Sequence, residues 1–238
     1  MKKPLLTFIF ALLALLSYAS DQFDLVYLPD SSSAQKPCLL IAPGNGYHKD
    51  LPIITDLAKQ ANDAGFVTLR FNWTPRDPKA TDTEYNQSRY SDVLSMIDIL
   101  RATAKVDTAN IFIAGKSLGS IFAYNAALER RIMRGIVLLT PIFLDDELTA
   151  QIYPDLDSLY CPLLIVAGDN DPDNAVLPAV YRAAAKVNTA TNVVIVAGDH
   201  GLNVDDYNTE SGQQRNMENI RHANKSIVLW LRRMVKQP

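Results

Sequence analysis

The run Ile111-Phe112-Ile113-Ala114-Gly115-Lys116-Ser117-Leu118-Gly119-Ser120 decides how this chain is read. Four residues of strand character lead into G-x-S-x-G, and a helix-like Ile121-Phe122-Ala123-Tyr124-Asn125-Ala126-Ala127-Leu128 follows. A serine between a strand and a helix passes through a very tight turn. A Cβ two residues before or after it would crowd the strand or the helix, so glycine is needed at both places. Such a turn holds the hydroxyl at the tip of a sheet, with a helix N-terminus beneath it to stabilise developing negative charge.

Two other readings of this stretch compete. A glycine-rich β–α turn can simply pack. A phosphate loop also ends in Gly-Lys-Ser, but it requires glycine at position 110, where Asn110 stands. Strand-forming Ile111, Phe112 and Ile113 replace its flexible amide cradle, and the phosphate-loop reading fails.

A serine nucleophile needs a base, and the chain has three histidines. His48 follows the first glycine-rich turn, and His222 lies in a helical segment near the C-terminus. His200 follows the strand-like Asn192-Val193-Val194-Ile195-Val196-Ala197 and a Gly198-Asp199 turn. This places it at the same end of the sheet as Ser117. The histidine in turn needs a carboxylate to fix its tautomer. The strand Pro162 to Ala167 ends in Gly168-Asp169-Asn170-Asp171-Pro172-Asp173, which supplies three acids. The chain order Ser, Asp, His is that of an α/β-hydrolase.

Together, Gly115-Lys116-Ser117-Leu118-Gly119, Gly168-Asp169-Asn170-Asp171-Pro172 and Gly198-Asp199-His200-Gly201 resemble the α/β-hydrolase superfamily in its small dienelactone-hydrolase-like branch. Leu69-Arg70-Phe71-Asn72-Trp73 is similar to a run in the hydrolase-like domains of the NSL-complex subunit and testis-expressed proteins. The resemblance covers about Cys38 to Leu231. It implies a catalytic triad of Ser117, Asp171 and His200, the family pattern G-x-x-D selecting Asp171 over Asp169. Where family members commonly carry His-Gly, this chain reads Pro43-Gly44-Asn45-Gly46. That loop follows the buried strand Cys38 to Ala42, and its glycines let amides face the cleft. The backbone amides of Asn45 and Leu118 are the expected oxyanion donors.

The first nineteen residues read as a secretory signal peptide. Lys2 and Lys3 precede an apolar stretch from Leu5 to Leu16, and Ser17-Tyr18-Ala19 has the form of a cleavage site. A retained anchor is the alternative, but the stretch is shorter than the roughly 20 residues that span a bilayer. An exported protein is expected, periplasmic or secreted if bacterial, without stable membrane insertion after cleavage. Residues 20–238 suit one α/β domain with a sizeable core. Loss of Lys2 and Lys3 takes the net charge from −3 to −5, which argues against nucleic acid as a partner. Neither cysteine has zinc-ligand spacing. Cys38 and Cys161 open strands separated by two others, roughly 14 Å apart at 4.8 Å per step. A disulfide reaches only about 7 Å between Cα atoms, so two separate buried thiols are expected.

Strands are predicted near 38–42, 66–72, 111–115, 135–140, 162–167 and 192–197, with a short antiparallel edge near 23–28. Helices are predicted near 51–64, 87–104, 118–130, 175–187 and 213–235. Val93, Met96, Ile97 and Leu100 recur at helical spacing, as a face packed on a sheet should. Alternation of strand and helix favours a mostly parallel sheet with helices on both faces. The 73–86 loop is long for a β–α connection. The 141–160 segment has room for one short helix and no separate cap domain, which predicts an open cleft.

The expected function is hydrolysis of a small-molecule acyl compound, a carboxylic ester first, with no cofactor and no metal. Two rivals remain at this point. One is a catalytically idle hydrolase fold used as a binding module. The other is a peptidase or amidase with the same triad.

Overall fold

A computed structural model describes residues 22–26 and 34–236. The expected leader, residues 1–19, lies outside them. The elements are β1 (Phe23–Val26), β2 (Lys36–Ala42), α1 (Pro52–Asp63), β3 (Val67–Phe71), α2 (Asp82–Ala102), β4 (Val106–Lys116) and α3 (Leu118–Arg130). They continue with β5 (Gly135–Leu139), α4 (Asp146–Ile152), a 3-10 turn at Leu156–Ser158, β6 (Leu163–Gly168), α5 (Leu177–Lys186), β7 (Thr191–Val196) and α6 (Glu210–Met234).

The seven strands form one sheet in the order β1-β3-β2-β4-β5-β6-β7. All neighbours run parallel except β1, which pairs antiparallel with β3 at the edge. Strand periodicity explains why β4 is apolar on both sides. Ile111 and Ile113 enter one core layer, and Phe112 and Ala114 enter the other. The first layer receives Val93, Met96, Ile97 and Leu100 from α2, with Ala123, Ala126 and Ala127 from α3. The second receives Ile54, Leu57 and Ala61 from α1, with Ile220, Ile227 and Leu231 from α6. The apolar stripe predicted on α2 is thus core.

Cys38 and Cys161 are free and buried, Cys38 on β2 and Cys161 two residues before β6, and β4 and β5 separate those strands. Burial raises each thiol to about 12, which leaves it inert. No helix among the described residues is long and apolar enough to cross a membrane.

Helix ends depart from the sequence reading, and capping explains two of the departures. α2 starts at Asp82, five residues before the expected 87. Thr81 accepts from the Glu84 amide while the Glu84 carboxylate accepts from the Thr81 amide, a reciprocal box. The first turn is polar, so apolar periodicity misses it. α6 starts at Glu210 for the same reason, with Thr209 accepting from the Gly212 amide. α5 starts at Leu177 because Ala175 is drawn into a bridge with Phe143. The 141–160 segment holds only α4 and the 3-10 turn. Tyr153 fastens it down, buried against Phe143 and Tyr124 with its hydroxyl on Ser120 Oγ.

Candidate active site

β4 delivers Ser117 in a conformation that β4 and β5 jointly impose. The Ser117 amide donates to Leu139 O at 2.9 Å, extending the ladder one residue past the strand. The chain then reverses into α3 with Ser117 at φ 51° and ψ −121°. This is a region a side chain rarely occupies, and it costs of order 1–3 kcal/mol. The flanking glycines are required by close approach. A Cβ on Gly115 would lie 2.3 Å from Gly119 O, and one on Gly119 would lie 2.4 Å from Pro43 O.

His200 arrives on the loop after β7. Its Nε2 is 2.8 Å from Ser117 Oγ, and its Nδ1 is 2.6 Å from Asp171 Oδ2. The other Asp171 oxygen accepts from Asn174 Nδ2 at 2.9 Å. Asp171 is 4% exposed. Burial works to raise its carboxyl, but hydrogen bonds from His200 and Asn174 and the nearby His200 and Lys116 charges outweigh it. The net displacement is downward. The three predicted side chains therefore form one chain of contacts.

The alternatives lie elsewhere. Asp169 is exposed and accepts from the Gly198 amide at 2.9 Å, so it shapes the turn after β7. Asp173 is exposed. His48 and His222 are exposed, His48 accepting from the Asp50 amide.

The loop carrying His200 is staked from two sides. Asp199 Oδ1 accepts from the amides of Gly201 and Asn203 at 2.7 and 2.8 Å. From α6, buried Asn216 accepts from the Val204 and Asp205 amides, and Asn219 donates to Ala197 O and Leu202 O. Sequence reasoning missed both asparagines. Asn216 and Asn219 share a helix face with buried Ile220 and Ala223, and that polar interruption of an apolar face was the available signal.

Lys116 was also missed. It is 1% exposed, its Nζ donates to His200 O at 2.9 Å, and it sits 4.9 Å from the centre of the Tyr47 ring. Burial pushes the ammonium down to about 7, against the pull of Asp171 and Asp199. The alternation of β4 carries the signal, because Phe112, Ala114 and Lys116 share one face.

The first loop is held where Asn45 can meet the site. Trp73 Nε1 donates to Gly44 O at 3.2 Å, and its ring packs edge-on against Phe71 and Phe122. Arg89 Nη2 donates to Asn45 Oδ1 at 2.8 Å. Arg70 Nη1 donates to Lys49 O at 2.7 Å, and Asn72 Oδ1 accepts from the Lys49 amide at 2.8 Å. Among the described residues no acceptor engages the amide of Asn45 or Leu118. Asn45 and Leu118 border a cleft of about 340 Å³ shared with Arg76, Tyr85 and Arg89. A second cleft, of about 400 Å³, begins at Gly46, Tyr47 and Gly201 and runs to α6.

The chain matches the α/β-hydrolase domain family over residues 35–231. It belongs to the α/β-hydrolase superfamily. Its fold is similar to that of a dienelactone hydrolase. Among solved α/β-hydrolase structures, Est1E from Butyrivibrio proteoclasticus with bound ferulic acid superposes with a TM-score of 0.65 at 18% identity, covering 88% of this chain and 94% of that one. Dienelactone hydrolase from Anabaena variabilis gives 0.64 at 18% identity, covering 90% and 92%. An alpha-beta serine hydrolase homologue from Coxiella burnetii gives 0.64 at 17% identity, covering 86% and 90%. At such identities the likeness concerns the fold alone. No curated protein matches the chain.

Proposed function

We propose that this α/β-hydrolase is an exported serine hydrolase that cleaves a carboxylic ester through an acyl-enzyme. The observation that carries the reading is the unbroken contact from Ser117 Oγ through His200 to Asp171, at 2.8 and 2.6 Å. Ser117 Oγ attacks the carbonyl carbon while His200 Nε2 takes its proton. The carbonyl π bond opens to an oxyanion that the Asn45 and Leu118 amides receive. Collapse breaks the bond to the leaving oxygen, which takes the proton from His200 and departs as the alcohol. Water, deprotonated by His200, then adds to the acyl carbon and displaces Ser117, which recovers its proton. Asp171 keeps Nδ1 protonated and supports the imidazolium. The dienelactone hydrolase acts by its name on a lactone, an internal ester, which agrees with ester over amide here. Export rests on the leader-like residues 1–19.

The deciding experiment is reaction of the protein with a fluorophosphonate probe, wild type beside Ser117→Ala. The wild type should carry one adduct, on Ser117 by mass spectrometry, and the variant none. An adduct on another serine, or none at all, overturns the reading.

A further inference from the structure

We infer that the cleft running from Gly201 to α6 is the leaving-group subsite, built for a bulky uncharged alcohol. The inference rests on the proposed ester hydrolysis at Ser117 and adds the side on which specificity is set.

Direction comes from the chemistry at the carbonyl. The oxyanion must face the Asn45 and Leu118 amides, and the leaving oxygen must reach His200 Nε2 to receive its proton. The alcohol part of an ester therefore projects on the histidine side. Gly201, the residue after His200, lines the cleft together with Gly46, the residue after Asn45, so the cleft neighbours the loops that carry the base and the oxyanion donor. Tyr47 forms its inner wall, close to Gly44 and above Lys116.

The class of alcohol comes from the walls. Leu51, Ile53, Met217 and Ile220 supply aliphatic surface, and no charged residue lines the cleft. Its three amide side chains are already engaged. Asn203 donates to Asp199, Asn216 serves the Val204 and Asp205 amides, and Gln213 donates to Tyr207 O. What faces the cavity is apolar surface with two phenol rings, Tyr47 and the 63%-exposed Tyr207 at the rim. A volume of about 400 Å³ lies within the range of small-ligand sites. The cleft beside Asn45 differs, since Arg76, Asp82 and Arg89 line it.

The test compares acetate esters of methanol, butanol, hexanol and benzyl alcohol, whose leaving groups have similar intrinsic reactivity. Each methylene buried in the cleft should raise kcat/KM about fourfold, so hexyl acetate, with even three of its five extra methylenes buried, should exceed methyl acetate by more than roughly thirtyfold. Met217→Trp fills the cleft and should bring that ratio below threefold. Tyr207→Ala, at the exposed rim, should lower it several-fold without disturbing the core. Benzyl alcohol should slow fluorophosphonate labelling of Ser117 in the wild type and not in Met217→Trp. A flat alcohol series, or equal ratios in all three proteins, overturns the inference while normal Ser117 labelling leaves the proposed function standing. Absence of Ser117 labelling in the wild type overturns both.

Discussion

The Lys116 ammonium donates to the backbone carbonyl of His200 at 2.9 Å, tying the residue before Ser117 to the loop that carries the imidazole. A buried cation at a strand tip is costly, and here its cost depends on pH. Its folded-state value is about 7, below the ordinary 10.5. Below pH 7 both folded and unfolded chains hold the proton, and the full burial penalty applies. Between pH 7 and 10.5 the folded chain releases the proton that the unfolded chain keeps, so stability rises with pH across that window. Lys116→Met removes the group. Urea unfolding of both proteins at pH 6, 8 and 9.5 should show wild type gaining on the variant as pH rises. Parallel curves would refute a buried, depressed Lys116. The variant should also lose about tenfold in kcat with KM little changed, since a misaligned imidazole weakens general-base catalysis worth typically 10²–10⁴-fold.

Asp171 and Asp169 separate by role. Asp171→Asn places an amide against His200 Nδ1, favours the wrong tautomer and withdraws support from the imidazolium. Turnover should fall by about 10⁴. Asp169→Asn keeps an oxygen for the Gly198 amide, and kcat/KM should stay within about tenfold of wild type, since one neutral turn bond is worth only about 1 kcal/mol. The reverse ranking on one soluble ester means that the acid is misassigned. Because the Asp171 carboxyl is held below its usual value, its contribution to stability is present above its ordinary value near 3.9. That contribution is lost as pH falls through the lower folded value. Asp171→Asn should therefore flatten the acid limb of the unfolding curve.

Ser117 holds its turn at a conformational cost. At φ 51° a side chain is strained and glycine is not. Ser117→Gly and Ser117→Ala should both abolish labelling, but the glycine variant should be more stable by about 1 kcal/mol. Equal thermal midpoints for the two variants would show that the turn stores no strain at this residue.

Most of the fold was legible because its signals are local. Apolar runs such as Leu39-Leu40-Ile41 and Ile111-Phe112-Ile113 mark strands buried on both faces, and alternation with helices leaves few parallel topologies. The contact chain of Ser117, Asp171 and His200 was legible because each residue follows the C-terminal end of a strand, β4, β6 and β7. Less visible was whatever depends on partners distant in sequence. Arg89 reaches Asn45 across 44 residues, and Lys116 reaches His200 across 84. Neither pairing leaves a periodic trace. The 73–86 loop was overestimated for a related reason. Its second half is the polar first turn of α2, and Thr74 bonds Asp92 through both its amide and its hydroxyl.

The short 141–160 segment leads to the last prediction. A lid that opens at a lipid surface must leave its closed position at modest cost, and this segment is fastened. Tyr153 is 1% exposed, packs on Phe143 at 4.8 Å between ring centroids, and bonds Ser120 and the Ile142 amide through its hydroxyl. Lifting it would expose that ring and leave the Ser120 hydroxyl without its phenol partner, at a cost of several kcal/mol by area and hydrogen-bond terms. The site is open without such a movement, because Ser117 is itself only half-buried and the cleft bordered by its neighbour Leu118 reaches the surface. Rates on a water-soluble ester should therefore follow simple saturation through the concentration at which the substrate forms micelles. A lidded lipase would instead jump there. Activity confined to micellar substrate would show that some other segment covers Ser117, and would overturn the assignment of an open cleft.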